Sequence, residues 1–352
     1  MRHARVAATG GPGDRLWGRG GGLTARVLPA DDPAAVAEAA RLLKSGGVVA
    51  FPTETVYGLG ADAFNPAAVA RVFEVKARPS FDPLIVHVAG ADEVVRVARG
   101  KGTAGVDPRV APLAERFWPG PLTLVLPRQP AVPDLVTAGL DTVGVRVPGH
   151  PAARALIRAA GTPVAAPSAN PFGYVSPTQA DHVLAQLGEK IDLVLDGGPC
   201  PVGLESTILS LAADPPLILR PGAVTREQLE AALGTPLEVA GPTERPRAPG
   251  QLPRHYATRT PLHILDGPAG PAPADVGRVG LLAIIGSPRA SGYAAVEILA
   301  PDGELASAAA NLFAALRRLD AAGLDLVLAE PCPEDGIGRA IMDRLRRCAS
   351  PR

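Results

Sequence analysis

The sequence predicts an α/β protein in two parts. Three observations lead there: short apolar runs alternate with amphipathic stretches, each run is cut by proline, glycine or aspartate, and one proline-rich stretch divides the chain. The 352 residues are enough for two domains. The predicted boundaries are an extension over 1–25, a larger α/β domain over 26–240, a linker over 241–262 and a small Rossmann-like α/β domain over 263–352.

The elements follow in order. Residues 1–25 are rich in Gly and Arg and lack the apolar core of a signal peptide, so a disordered extension is expected, with a basic arm touching RNA as the lesser reading. Asp31-Asp32-Pro33 marks a turn before an amphipathic helix that points Val36, Ala40 and Leu43 inward and stops at Lys44-Ser45-Gly46-Gly47. Residues 48–51 are a buried strand, ended by Pro52, which cannot donate to a ladder. A polar loop is expected next, through Thr53-Glu54-Thr55 and Tyr57-Gly58-Leu59-Gly60. Pro66 opens a helix with Val69, Val72, Phe73 and Lys76 on one face, and Pro79 stops it. Residues 84–88 are an apolar strand carrying His87, followed by helices over 91–99 and 107–117. A rigid Pro- and Gly-containing loop enters a strand at 122–126; 142–147 alternates as a strand, with Arg146 near its end. A helix over 151–160 precedes a short strand at 164–166, which stops at Pro167 and presents Ser168 and Asn170 on the turn. Ser176-Pro177-Thr178 reads as the N-cap of a helix over 179–187. Strands at 191–195, 205–209 and 217–220 and a helix over 225–233 complete the large domain. Beyond the linker, strands at 263–265, 279–285 and 324–329 and helices over 303–319 and 339–348 make the small one. It has no GxGxxG, so its outline predicts no dinucleotide.

Composition narrows the function. Thirty-five basic and thirty-five acidic residues give zero net charge, which argues against holding nucleic acid by bulk electrostatics. Cys200, Cys332 and Cys348 are odd in number and widely spaced, neither a disulfide framework nor a CxxC metal pair, and a reducing cytoplasm fits them best. No apolar run reaches the length of a membrane span. There is no GxSxG and no GxxxxGK[ST], so neither a nucleophile elbow nor a P-loop is expected.

The stretch over 48–88 nevertheless gathers hydroxyls, carboxylates, two cations and an imidazole at the ends of adjacent elements, where α/β proteins hold ligands. It contains PTETVYGLG, then Lys76-Ala77-Arg78, then PLIVH; Ser168-Ala169-Asn170 comes later. Together these resemble the signature of the YrdC-like family, the threonylcarbamoyl-AMP synthases, whose KxR and SxN patterns they meet. The resemblance runs from Val27 to Cys348. In the last part, Asn311-Leu312-Phe313 and the run from Gly336 to Met342 are similar to the smaller domain of the family's long form.

That resemblance implies a YrdC-like twisted mixed sheet with flanking helices, plus the small Rossmann-like domain. It implies condensation of L-threonine, bicarbonate or CO2 and ATP, carried with Mg²⁺, to threonylcarbamoyl-AMP and pyrophosphate, for threonylcarbamoyl-adenosine in tRNA. The product would pass to a tRNA threonylcarbamoyl-transfer machinery; direct tRNA binding is left open. Such a reaction needs two anions held together, growing charge neutralised and water excluded, with no protein nucleophile.

By resemblance, Lys76, Arg78 and Arg220 clamp phosphate, with Lys76 and Arg78 in the catalytic role. Arg220, after an apolar strand, is a lone cation that is costly without an anionic partner. The pattern also places Thr123, the backbone of Ala166, Ser168, Asn170 and Ser176 around ATP, Ser176 being equally a helix cap. It places Thr53, His87, Arg146 and Thr207 at threonine, Arg146 gripping the carboxylate bidentately; His87 taken alone reads first as a core histidine bonded to backbone. Glu54 and Glu205 are candidates for orienting the amine or Mg²⁺. The linker is similar to the long form's PG-x-x-x-x-HYAP element, with His255 and Tyr256 as a gate; Gln251 replaces the usual methionine and Thr258 the last proline. Asp82 stands where the family often has Asn and is assigned no direct ATP contact, since a carboxylate there repels phosphate unless Mg²⁺ or Lys76 offsets it. The competing readings are a non-catalytic RNA-binding module and a carbamoyltransferase with a different acceptor.

Overall fold

The computed structural model describes residues 25–100, 105–286 and 290–350. Except for residue 25, the expected N-terminal extension lies outside them. The large domain is one mixed sheet with strands β1 (Arg26–Pro29), β2 (Val49–Phe51), β3 (Gly58–Asp62), β4 (Ile85–His87), β5 (Leu122–Pro127), β6 (Thr142–Arg146), β7 (Val164–Ala165), β8 (Leu193–Asp196), β9 (Thr207–Ser210), β10 (Leu217–Arg220) and β11 (Glu238–Val239). Their order is β1-β8-β2-β3-β7-β4-β6-β5-β9-β10-β11. Helices α1 (Pro33–Lys44), α2 (Pro66–Lys76), α3 (Val110–Phe117), α4 (Asp134–Thr137), α5 (Pro151–Ala160), α6 (Ala180–Leu187) and α7 (Arg226–Leu233) flank it.

Strand alternation sorts the core onto two faces. Val49 and Phe51 pack with Leu193 and Leu195 against α1 and α5. Val48 and Ala50 face the other way, into the cluster built on α2, α3 and α6. The caps match the sequence signals. The Asp32 side chain accepts from Ala34 N at 2.8 Å, and Asn65 accepts from Ala67 N at 3.1 Å and Ala68 N at 3.2 Å, each just before a proline at the first helical turn.

The structure corrects several expectations. The loop expected after Pro52 is in part β3, antiparallel to β2. Its glycines make room for a neighbour: a Cβ on Gly60 would meet Phe51 Cε1 and Val164 Cγ1 at 2.8 Å each. Over 91–99, only Ala91–Arg96 is helical, as a 3₁₀ turn. Ser176 and Thr178 do not cap α6, whose N-cap Gln179 makes no side-chain capping bond.

The small domain has strands β12 (Leu262–Ile264), β13 (Val279–Ala283), β14 (Ala295–Ile298) and β15 (Leu326–Ala329), all parallel in the order β12-β15-β13-β14. Helices α8 (Leu305–Ala321) and α9 (Gly338–Ala349) supply about half of the core on one side of the sheet. That core also takes in Val56, Val175 and Leu204 of the large domain and Tyr256 of the linker. Contact is close enough that a Cβ on Gly203 would lie 2.5 Å from Ala310 Cα of α8.

Candidate active site

β4 turns Ile85 and His87, two residues apart, to one side of the sheet. Over them lies a cavity of about 50 Å³ whose wall includes both residues and Thr53, Arg78, Arg146, Ala166, Ser168 and Arg220. Pro249, Gly250, His255 and Tyr256 of the linker close it.

The cations arrive by different routes. Ala77, after α2, adopts φ 50, a left-handed turn that lets Lys76 and Arg78, two residues apart, both turn inward. Lys76 is 1 % exposed, and its Nζ donates to the carbonyls of Ser168, at 2.6 Å, and Asn170. It therefore braces the SxN turn behind the cavity wall. Burial pushes its pKa well below the ordinary lysine value, with Arg78 adding to the effect. Arg78 is fixed by the next loop: Nε donates to Asp82 O at 3.0 Å and Nη2 to Pro83 O at 2.8 Å. Arg220 ends β10 and donates to Ser206 O at 3.0 Å through Nη2 and to Pro249 O at 3.2 Å through Nη1, joining strand to linker.

Arg146, paired with His87 across β4 and β6, donates through Nη2 to Glu54 Oε1 at 2.6 Å and Thr55 Oγ1 at 3.0 Å, and through Nε to Gly120 O at 3.2 Å. Glu54 also accepts from Gly149 N at 2.8 Å. Burial would raise the Glu54 pKa, but Arg146 and these hydrogen bonds bring it below the ordinary carboxylate value. Glu54 thus orients Arg146, and Nη1 carries no hydrogen bond to a described residue.

Other predicted residues stand one step back. Thr123 Oγ1 pairs with Ser206 Oγ at 2.8 Å, and Ser176 Oγ donates to Glu205 Oε1 at 2.5 Å. Asn170 Nδ2 donates to Pro171 O and Tyr174 O, each at 2.9 Å. Thr207 is a correction. Its hydroxyl donates to Val224 O at 2.5 Å and it lies outside the cavity wall, whereas Ser206, one residue earlier, lies within it. Sequence reasoning missed Ser206, Thr55 and Gly250. The i, i+2 spacing of Thr53 and Thr55, and the hydroxyl beside Thr207, were the available signals.

Three polar atoms of cavity-lining residues are buried without a hydrogen-bond partner: His87 Nδ1, His255 Nδ1 and Tyr256 OH. Tyr256 is held in the left-handed region at φ 61, a conformation costly for a non-glycine residue and maintained only by its surroundings. Gly250, at φ +81, allows that packing, since a Cβ there would lie 2.9 Å from the Tyr256 hydroxyl. Burial lowers the pKa of His87 to about 3, with Arg146 adding to it, and likewise His255 to about 3, opposed by Glu205.

Both imidazoles are therefore neutral at pH 7. A group with a depressed folded pKa contributes stability above its unfolded value, here 6.5, and loses it as pH falls toward about 3. We expect the unfolding free energy to fall below pH 6.5 with a term of about 1.4 kcal/mol per pH unit for each histidine. Denaturant titrations from pH 7 to pH 4.5 check this. His255→Gln should shallow the slope by close to one proton, and an unchanged slope would contradict it.

Asp82 has no exposed surface, and its Oδ2 lies 2.9 Å from Arg78 Nη2. The contact is charge on charge at poor angles, for neither carboxylate oxygen makes a hydrogen bond. A negative charge there works against a phosphate at Arg78. Asp82→Asn should lower the KM for ATP roughly fivefold, about 1 kcal/mol. Steady-state kinetics check it; a raised KM would make the carboxylate a net support of Arg78.

Buried guanidiniums, alcohols and imidazoles around one cavity, supported by a mixed sheet, define the class of α/β proteins that grip small anionic molecules without a covalent catalyst. Comparison with known proteins narrows this. Residues 41–222 match the family described as "Telomere recombination" (Sua5, YciO and YrdC), and residues 224–350 match "Threonylcarbamoyl-AMP synthase, C-terminal domain". The chain is 44% identical to the Bacillus subtilis threonylcarbamoyl-AMP synthase over 92% of its length and 95% of the relative's. It is 37% identical to the Schizosaccharomyces pombe one, covering 92% and 90%. The crystal structure of Pyrococcus abyssi Sua5 complexed with L-threonine superposes with a TM-score of 0.83 at 37% identity, covering 93% of this chain and 97% of that one. The chain belongs to the threonylcarbamoyl-AMP synthase family, in its two-domain form.

Proposed function

We propose that the chain condenses L-threonine, bicarbonate or CO2 and ATP into threonylcarbamoyl-AMP and pyrophosphate, a nucleotidyl transfer in the cytoplasm that feeds a tRNA threonylcarbamoyl-transfer machinery. The observation that carries the reading is a buried cation on the cavity wall, Arg220, whose hydrogen bonds all go to carbonyl or hydroxyl oxygens. Among the described residues no carboxylate lies within ion-pair distance of it. A buried cation without a counter-charge is costly, and a triphosphate supplies one.

In this reading the carbamate of threonine attacks the α-phosphorus of ATP and pyrophosphate leaves. Arg78 and Arg220 meet the phosphates, and Lys76 holds the turn that carries Ser168 and Asn170. Arg146 offers Nη1 to the threonine carboxylate and His87 faces its hydroxyl and amine, while Thr53, whose hydroxyl donates to Val56 O at 2.6 Å, offers the amine only an acceptor. Glu54 and Glu205 are committed to Arg146 and Arg344, so Mg²⁺ comes as part of the substrate MgATP. No helix among the described residues is long and apolar enough to cross a membrane. Ligand sites commonly measure roughly 300–1,000 Å³. The present cavity of about 50 Å³ is far smaller, so the linker lifts to admit substrates. Pyrophosphate release from ATP and bicarbonate, with and without L-threonine, tests the function. Release should require threonine, and equal release without it would sink the reading.

A further inference from the structure

No residue of the small domain lines the cavity, yet one of them pairs with a carboxylate that does. Arg344, on α9, is fully buried. Its Nε donates to Glu205 Oε2 at 2.9 Å, its Nη2 to Pro221 O at 3.0 Å and its Nη1 to Asp343 Oδ2 at 2.5 Å. Its guanidinium carbon sits 5.1 Å from the Tyr256 ring centroid, and Phe313 of α8 stacks on the same ring at 5.4 Å. Glu205 and Tyr256 both line the cavity.

Glu205 is the carboxylate that could spoil the phosphate clamp. It immediately precedes Ser206, whose carbonyl and hydroxyl accept from Arg220, and it shares the cavity wall with that guanidinium. In the structure its oxygens are turned to Ser176 and Arg344 instead. Burial would raise its pKa, but Arg344, then Arg220, and these hydrogen bonds hold it down to about 2, so it is an anion at pH 7. After Arg344, Arg220 is the cation whose charge acts on it most, so a released Glu205 would turn to Arg220.

We propose that Arg344 is a positioning residue for ATP: by engaging Glu205 it keeps that carboxylate off Arg220 and leaves Arg220 free for phosphate. The small domain then acts on the reaction through charge, without touching substrate. The inference rests on the proposed use of ATP.

The test is calorimetric ATP binding, with threonine-dependent pyrophosphate release alongside, for the full chain and for Arg344→Gln, Glu205→Gln and the double variant. Arg344→Gln should weaken ATP binding roughly 30-fold, since breaking one side of a buried pair frees the other charge to seek a new partner. Its KM for threonine should move less than about threefold. Glu205→Gln should bind ATP more tightly than wild type, and the double variant should recover to within about threefold of it. A role confined to packing would leave the double variant as impaired as Arg344→Gln. That result, or unchanged ATP binding in Arg344→Gln, overturns the proposal. If Arg344→Gln fails to fold, Glu205→Gln still decides, because weakened ATP binding there would make Glu205 a ligand rather than a restrained competitor. A wild-type chain that binds no ATP would sink the functional reading and the inference together; a wild type that binds ATP while the variants disagree sinks the inference alone.

Discussion

Arg220→Met should lose ATP binding by roughly 100-fold or more, about 3 kcal/mol, while the unliganded protein keeps its thermal midpoint. The two halves of this result have one cause. Arg220 is 4 % exposed and hydrogen-bonds only to neutral oxygens: Ser206 O, Ser206 Oγ and Pro249 O. Burial disfavours its charged form and lowers its pKa. A guanidinium in that position destabilises the empty protein and is stabilised when phosphate arrives, so removing it costs affinity more than it costs folding. Methionine fills similar volume without the charge. Differential scanning fluorimetry with an ATP titration measures both quantities. Wild type should gain several degrees on saturation with ATP, and the variant should gain nothing. A midpoint that collapses in the unliganded variant would show that the bridge from Ser206 to Pro249 is what Arg220 chiefly supplies.

How far the site could be read from sequence depends on whether a local pattern fixes a side chain's direction. Lys76 and Arg78 could be placed together because proline bounds α2 on both sides, although the left-handed turn at Ala77 that sends both inward carries no glycine to announce it. His87 and Arg146 could be named, but their pairing across β4 and β6 is a register, and register lies in long-range packing. Thr207 failed for the complementary reason. The strand was expected from residue 205 and begins at Thr207, and Thr207's hydroxyl turns to Val224 instead of the cavity. β3 was hidden because Gly58 and Gly60, which read as loop, are what admit the Phe51 ring. Gln251 stands in the linker where a methionine is usual. Its Oε1 accepts from Arg247 N at 2.7 Å and Ala248 N at 3.1 Å, so the polar substitute folds the linker back on itself. Arg344 could not have been found, since its role depends on two domains meeting.

The other large effect belongs to Arg146. Arg146→Lys should raise the KM for L-threonine roughly 100-fold, about 3 kcal/mol, and leave the KM for ATP within about twofold. Arg146 uses two nitrogens for support before substrate arrives: Nε to Gly120 O, and Nη2 to Glu54 and Thr55. Nη1 is then held at a fixed angle for a carboxylate. The sequence-based expectation of a bidentate grip needs amending, because Nη2 is already occupied unless threonine displaces Thr55. A lysine has one nitrogen for all these tasks. Its ammonium would satisfy Glu54, the partner that is 2.6 Å from Arg146, and have no second arm for substrate. Charge would be conserved and recognition lost, which separates geometry from electrostatics as the source of threonine affinity. Glu54→Gln gives the complementary case: the fork remains but its support weakens, so threonine binding should fall by roughly tenfold, about 1.4 kcal/mol. Steady-state KM values for both substrates across the two variants settle the order. If Arg146→Lys keeps wild-type threonine affinity, the carboxylate is held elsewhere in the cavity and Arg146 serves only to anchor Glu54.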